Sequence, residues 1–150
     1  MKRLKGINIL LTGLVSILIL LWVYTASSKL TEYENFQKQL YNQTFNPDLA
    51  EILVWLIPAI EITTAILLAF SKTRLTGLVF SVLLMGIFTT YILLVLTDYY
   101  ERTPCSCGGV LKEMGWQTHF WFNIFFLSIA ILGTFLQLKL LKIKKGGLIN

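Results

Sequence analysis

Charge is scarce in this sequence: only 14% of its 150 residues are Asp, Glu, Lys or Arg, where an ordinary globular domain carries about a quarter. The deficit is concentrated in long apolar runs, with 55% of the chain hydrophobic and a mean hydropathy of +0.69. A chain of this length has too little interior to hide such runs from water, which excludes a soluble domain. The length also excludes a multidomain enzyme and leaves room for one bundle of membrane spans. Two cysteines and one histidine leave almost no material for a metal cage, and no Cys-x-x-Cys-His is present to attach haem. The net charge of +5 does not indicate nucleic acid, because the basic residues flank the apolar runs and form no patch interleaved with aromatics.

Four apolar segments are present, at about 7–24, 49–70, 75–96 and 119–138. Each is close to the roughly 20 residues that cross about 30 Å of hydrocarbon as a helix. In lipid the backbone must satisfy its own hydrogen bonds, so these spans are helical. The expected fold is an all-α membrane protein, a four-transmembrane-helix antiparallel bundle formed as one domain over 1–150. Lys2-Arg3-Leu4-Lys5 followed by an apolar run also opens a signal peptide, but the run is longer than such peptides use and ends at Trp22 and Tyr24, residues suited to a membrane interface. A retained span is therefore expected.

Charge sets the orientation. Lys2, Arg3, Lys5, Lys72, Arg74, Lys139, Lys142, Lys144 and Lys145 flank one set of segment ends, while Lys29, Lys38, Arg102 and Lys112 flank the other. The positive-inside bias then puts both termini in the cytoplasm. The turn Ser71–Arg74 is so short that the second and third helices must be antiparallel neighbours. The two outer loops, 28–46 and 97–118, are long. In the first, Leu30, Tyr33, Phe36, Leu40 and Tyr41 recur at helical spacing among polar residues, which predicts a short amphipathic helix at the outer interface.

The second outer loop carries Cys105-Ser106-Cys107-Gly108-Gly109, which contains both thiols of the chain. In a bacterial inner membrane that side is the oxidising periplasm. Cysteines one residue apart close only a small, strained ring, which exchanges readily, and a staple across so short a loop gains little stability. Pro104 and the two glycines supply the turn. A working redox pair, a structural disulfide and two unpaired thiols all remain open on these grounds. A metal site built from Cys105, Cys107 and His119 with a nearby carboxylate matches no standard spacing, so none is expected. His119 stands where this loop enters the fourth span, on one helical face with Trp116, Phe120 and Asn123. There it is suited to exchanging protons with a thiol.

Glu61 is the outstanding intramembrane charge, about twelve residues or roughly 18 Å inside the second span. A carboxylate at that depth costs at least about 2.5–3.5 kcal/mol unless it is neutral, paired or beside water, which makes it a functional candidate by default. With no basic residue inside the four runs, it is expected to be protonated and bonded to a neighbouring helix, with Thr89, Thr90 or Tyr91 as partners. Its role is either to hold the bundle or to handle protons. Trp22, Trp55, Trp116 and Trp121 read as an outer interfacial belt. A quinone could stack on such residues, although nothing in their spacing requires it, and the cofactor stays unknown.

Taken together, Lys29-Leu30 with Phe36 and Leu40, Pro58-x-x-Glu61, and the cysteine loop ahead of Trp116, His119 and Asn123 resemble the MauE/DoxX family of bacterial redox-associated membrane proteins, most closely its methylamine-utilisation branch. The resemblance runs from the first helix to about Leu138. It implies a four-helix bundle that takes part in maturing disulfide-rich periplasmic proteins alongside thioredoxin-like partners. It is similar in plan to quinone-linked disulfide-forming membrane enzymes and vitamin K epoxide reductases. Unlike those enzymes, this chain has no membrane-embedded Cys-x-x-Cys and no second shuttle pair; a single pair exchanges with a partner but does not relay electrons between two loops. The expected function is thiol-disulfide exchange through Cys105 and Cys107, with a periplasmic thioredoxin-like protein or a disulfide-containing client. The alternative is a non-catalytic scaffold or subunit of a larger membrane complex that docks such a partner.

Overall fold

A computed structural model describes residues 2–43, 46–97, 99 and 115–146. Among these residues every regular element is helical: α1 (Lys2–Thr31), α2 (Tyr33–Tyr41), α3 (Pro47–Ala69), α4 (Arg74–Leu96) and α5 (Trp116–Gly146). Four of them, all but α2, are long and apolar enough to cross a membrane, and they carry large exposed apolar side chains such as Leu20, Trp55, Ile87 and Phe125 on their outward faces. In water such faces would aggregate; in lipid they are solvated. The chain is a multi-pass membrane protein.

The long helices pack in the cyclic order α1, α3, α4, α5, with α1·α3 and α4·α5 as the two most extensive pairs. Local chemistry fixes their ends. Asn46 caps α3 by accepting a hydrogen bond from the Asp48 amide at 3.2 Å, and Pro47 opens the helix where its missing N–H costs nothing. At the other end the Thr73 hydroxyl donates to the Leu67 carbonyl at 2.9 Å, which satisfies a terminal acceptor of α3 as the chain turns into α4. This turn brings α3 and α4 very close at Gly77. A Cβ placed there would stand 2.7 Å from the Leu68 backbone nitrogen, closer than two such atoms can approach. Gly77→Ala is therefore expected to cost about 1–3 kcal/mol through overpacking. Gly86→Ala, which meets nothing within 4 Å, is expected to be neutral or slightly stabilising. Thermal unfolding of the two variants in detergent checks the contrast.

The bundle is solid at the α3–α4 turn end. There Leu11, Val15, Leu18, Leu68, Leu78 and Ala130 form one buried cluster. Trp22 belongs to this core rather than to an interfacial belt: it is 0% exposed, and its indole Nε1 donates to Ser81 Oγ of α4 at 2.9 Å. Ser81 Oγ in turn donates to the Gly77 carbonyl, so the one polar atom of the tryptophan is satisfied.

At the opposite end α1 stops early. If the helices run nearly parallel, α1 rises about 14 Å from Trp22 to Thr31, whereas α4 rises about 22 Å from the facing Ser81 to Leu96. The shortfall is covered by α2, which lays Phe36 and Leu40 against Ala50 and Val54 of α3. The short helix expected in the first outer loop is thus present, and it roofs the bundle beside the end of α1.

Candidate functional site: a buried ion pair lining a cavity in the bundle

Residues at the end of α1 reach into the bundle because helical side chains lean toward the N-terminus of their own helix. Lys29 is the important case. Its Nζ donates to Glu61 Oε1 of α3 at 2.7 Å, and the side chains are 13% and 2% exposed. The ammonium also donates to the Thr25 carbonyl at 3.4 Å and lies 5.9 Å from the centre of the Phe36 ring. Burying two opposite charges is tolerable when they meet in good geometry with further hydrogen bonds, and this pair has both.

The partner expected for Glu61 is therefore corrected. The hydroxyls of Thr89 and Thr90 donate to the carbonyls of Met85 and Gly86 in their own helix, and the Tyr91 hydroxyl donates to Gln43 Oε1. None of these bonds reaches the carboxyl group. The expectation failed because the apolar run appeared to end at Tyr24, which assigned Lys29 to the loop. In fact α1 continues two turns further, to Thr31. The signal was present: Trp22, Ala26 and Lys29 recur at i, i+4 and i+7, and Trp22 and Ala26 are 0% and 1% exposed. Lysine thus closes a buried stripe.

Beside the pair the bundle opens into a cavity of about 430 Å³ to which all five helices contribute. Its walls are apolar and aromatic, with Trp22, Phe36, Phe88 and Phe122 among them, and its polar groups include Lys29, Glu61, His119 and Asn123. His119 lies in the first turn of α5, half-buried, its backbone N–H bonded to the Gly115 carbonyl. Asn123, one turn further on, is 3% exposed. Two buried polar atoms at this cavity have no hydrogen-bond partner among the described residues: Glu61 Oε2 and His119 Nδ1. The bond between Gln43, just beyond α2, and Tyr91 of α4 ties the first loop to the far wall. Trp116 sits edge-on to the Tyr91 ring, with centroids 6.5 Å apart, and joins the start of α5 to the end of α4.

The fold therefore brings His119 and Glu61 to one cavity and adds Lys29, which sequence reasoning placed outside. Cys105 and Cys107 lie outside the described residues. The segment that carries them leaves α4 after Leu96 and enters α5 at Trp116, so both of its anchor points are at the cavity end of the bundle.

No curated protein and no solved structure matches the sequence. The family model described as Methylamine utilisation protein MauE matches residues 7–136, a stretch that takes in Lys29, Glu61, both cysteines and His119. The chain belongs to the MauE family, a redox-associated class of membrane proteins.

Proposed function

We propose that this protein is a membrane thiol-disulfide redox protein of the bacterial inner membrane, with both termini cytoplasmic and the Cys105/Cys107 loop in the periplasm. The observation that carries the reading is that the loop's two anchor helices meet at Tyr91 and Trp116, beside the cavity that His119 lines, in a chain of a redox-associated family. With Lys29 drawn into the bundle by Glu61, even fewer basic residues remain to oppose the orientation set by the positive-inside bias.

In the forward reaction a client thiolate attacks one sulfur of the Cys105–Cys107 disulfide, forming a mixed disulfide and releasing the other cysteine as a thiolate. The client's second thiolate then displaces the mixed bond. The client leaves with a new disulfide, and two electrons and the accompanying protons remain on the Cys105/Cys107 dithiol. A thioredoxin-like partner in its disulfide form restores the pair by the same exchange in reverse and leaves reduced. His119 accepts or returns the thiol proton. The Lys29–Glu61 pair holds α1 to α3.

Alkylation tests both compartment and chemistry. In intact spheroplasts, a membrane-impermeant maleimide is expected to label both cysteines only after a reduced client dithiol has been added, and an oxidised thioredoxin-like partner is expected to remove the labelling, with no need for permeabilisation. Labelling that requires a broken membrane, or thiols that never change state with the partner, would overturn the proposal.

A further inference from the structure

The cavity beside the ion pair has features that disulfide exchange in the loop does not use. We infer that it is a binding site for a neutral, lipid-soluble molecule whose head carries a hydroxyl group.

The rim determines the route of entry. Tyr24, Leu56 and Ile87 line the cavity yet are 48%, 44% and 63% exposed. A side chain that is both lining and exposed stands at the mouth. Leu56 and Ile87 belong to the outward faces of spanning helices, so this mouth opens to hydrocarbon and admits what dissolves there. Toward the other end, Phe36 and Leu40 of α2 and the Tyr91 ring, bonded to Gln43, also line the cavity.

The polar end determines the head group. Lys29 and Glu61 already neutralise each other, so an anionic or cationic head would enter a low-dielectric site with no free counter-charge. What the pair leaves open is directional. Among the described residues Glu61 Oε2 is an acceptor without a hydrogen-bond partner, and a carboxylate can only accept. Lys29 has three N–H donors and uses two of them, on Glu61 and on the Thr25 carbonyl. A single hydroxyl satisfies both: its hydrogen is donated to Oε2, and its oxygen accepts from the ammonium. His119 Nδ1, also without a hydrogen-bond partner among the described residues, offers a second contact. Water could fill these few bonds, but most of the remaining 430 Å³ or so is bounded by apolar wall, against which water would find no partners. The size falls in the usual range for small-molecule sites, about 300–1,000 Å³. Two kinds of lipid-borne molecule carry the required chemistry: an aromatic hydroxyl such as a hydroquinone, and an aliphatic one such as a long-chain alcohol.

The inference does not rest on the cysteine chemistry, and its test leaves the cysteines in place. Full-length protein in detergent is titrated with decylhydroquinone, 1-decanol, decanoate and decylamine, with thermal unfolding and tryptophan fluorescence as readouts. Saturable stabilisation is expected with a neutral probe at concentrations where the two ionic probes have no effect. A response to the hydroquinone alone identifies the aromatic source, and equal responses to both neutral probes identify the hydroxyl as sufficient. Leu84→Trp, which narrows the cavity and leaves both residues of the ion pair in place, is expected to weaken binding at least about tenfold. Glu61→Gln is expected to weaken it about fivefold to tenfold, because a charged acceptor is replaced by a neutral one and the Lys29 ammonium loses its counter-charge. Ionic probes binding as tightly as neutral ones, the absence of stabilisation by either neutral probe, or wild-type binding by Leu84→Trp would overturn the inference.

Discussion

Replacing Lys29 by methionine is expected to destabilise the bundle by about 3–5 kcal/mol, because it leaves a carboxylate buried without its counter-charge. Glu61→Leu alone should cost a similar amount, since the ammonium is then stranded between α1 and α3. The double variant Lys29→Met, Glu61→Leu is the informative one. Two apolar side chains of comparable size remove both charges at once, and such replacements are commonly neutral or stabilising. Its unfolding temperature in detergent is expected to return close to wild type, and thiol exchange is expected to persist, because the pair positions helices and the proposed exchange uses neither of its charges. If both single variants unfold like wild type, Lys29 and Glu61 do not meet. If the double variant is as unstable as the singles, the pair is not what each side chain contributes.

The second large effect is on activity. Replacing Cys105 and Cys107 together with serine is expected to abolish client oxidation entirely while leaving the unfolding temperature unchanged, since so small a ring adds little to stability. Client disulfides scored in cells lacking the chromosomal copy, together with thermal unfolding of the purified variant, separate the two outcomes. Full client oxidation by the double variant would make the loop a docking element and the protein a scaffold.

How much of this was legible in the sequence follows from how each feature is encoded. The four long helices and the short one after the first span were readable because lipid leaves the backbone no choice but helix, and because Phe36 and Leu40 repeat at helical spacing. Glu61 stood out as a carboxyl group in an apolar run, and it is buried as expected. Its partner was not legible, because hydropathy ends a span at the first polar residues whereas a helix ends where its hydrogen bonds end. The Thr25 and Thr31 hydroxyls return to the Trp22 and Ser27 carbonyls, and this polar stretch continues α1 as helix. Trp22 was misread for the same reason: a tryptophan near the apparent end of a span looks interfacial until the helix is seen to run on past it. The cavity could not be read at all. Its walls are contributed by all five helices, a meeting of separate elements that no local pattern records.

The most direct measurement of the central claim is a trap. Each single variant, Cys105→Ser and Cys107→Ser, is expressed at native level, cells are quenched with acid and alkylated, and the protein is resolved without reductant. At least one of the two is expected to accumulate a covalent adduct that disappears on reduction and contains a periplasmic thioredoxin-like protein or a cysteine-rich client, because the variant lacks the second thiol that would resolve the mixed disulfide. If neither variant forms a reducible adduct, while both sustain client oxidation at the wild-type rate, the cysteine pair carries no disulfide exchange and the proposed function is wrong.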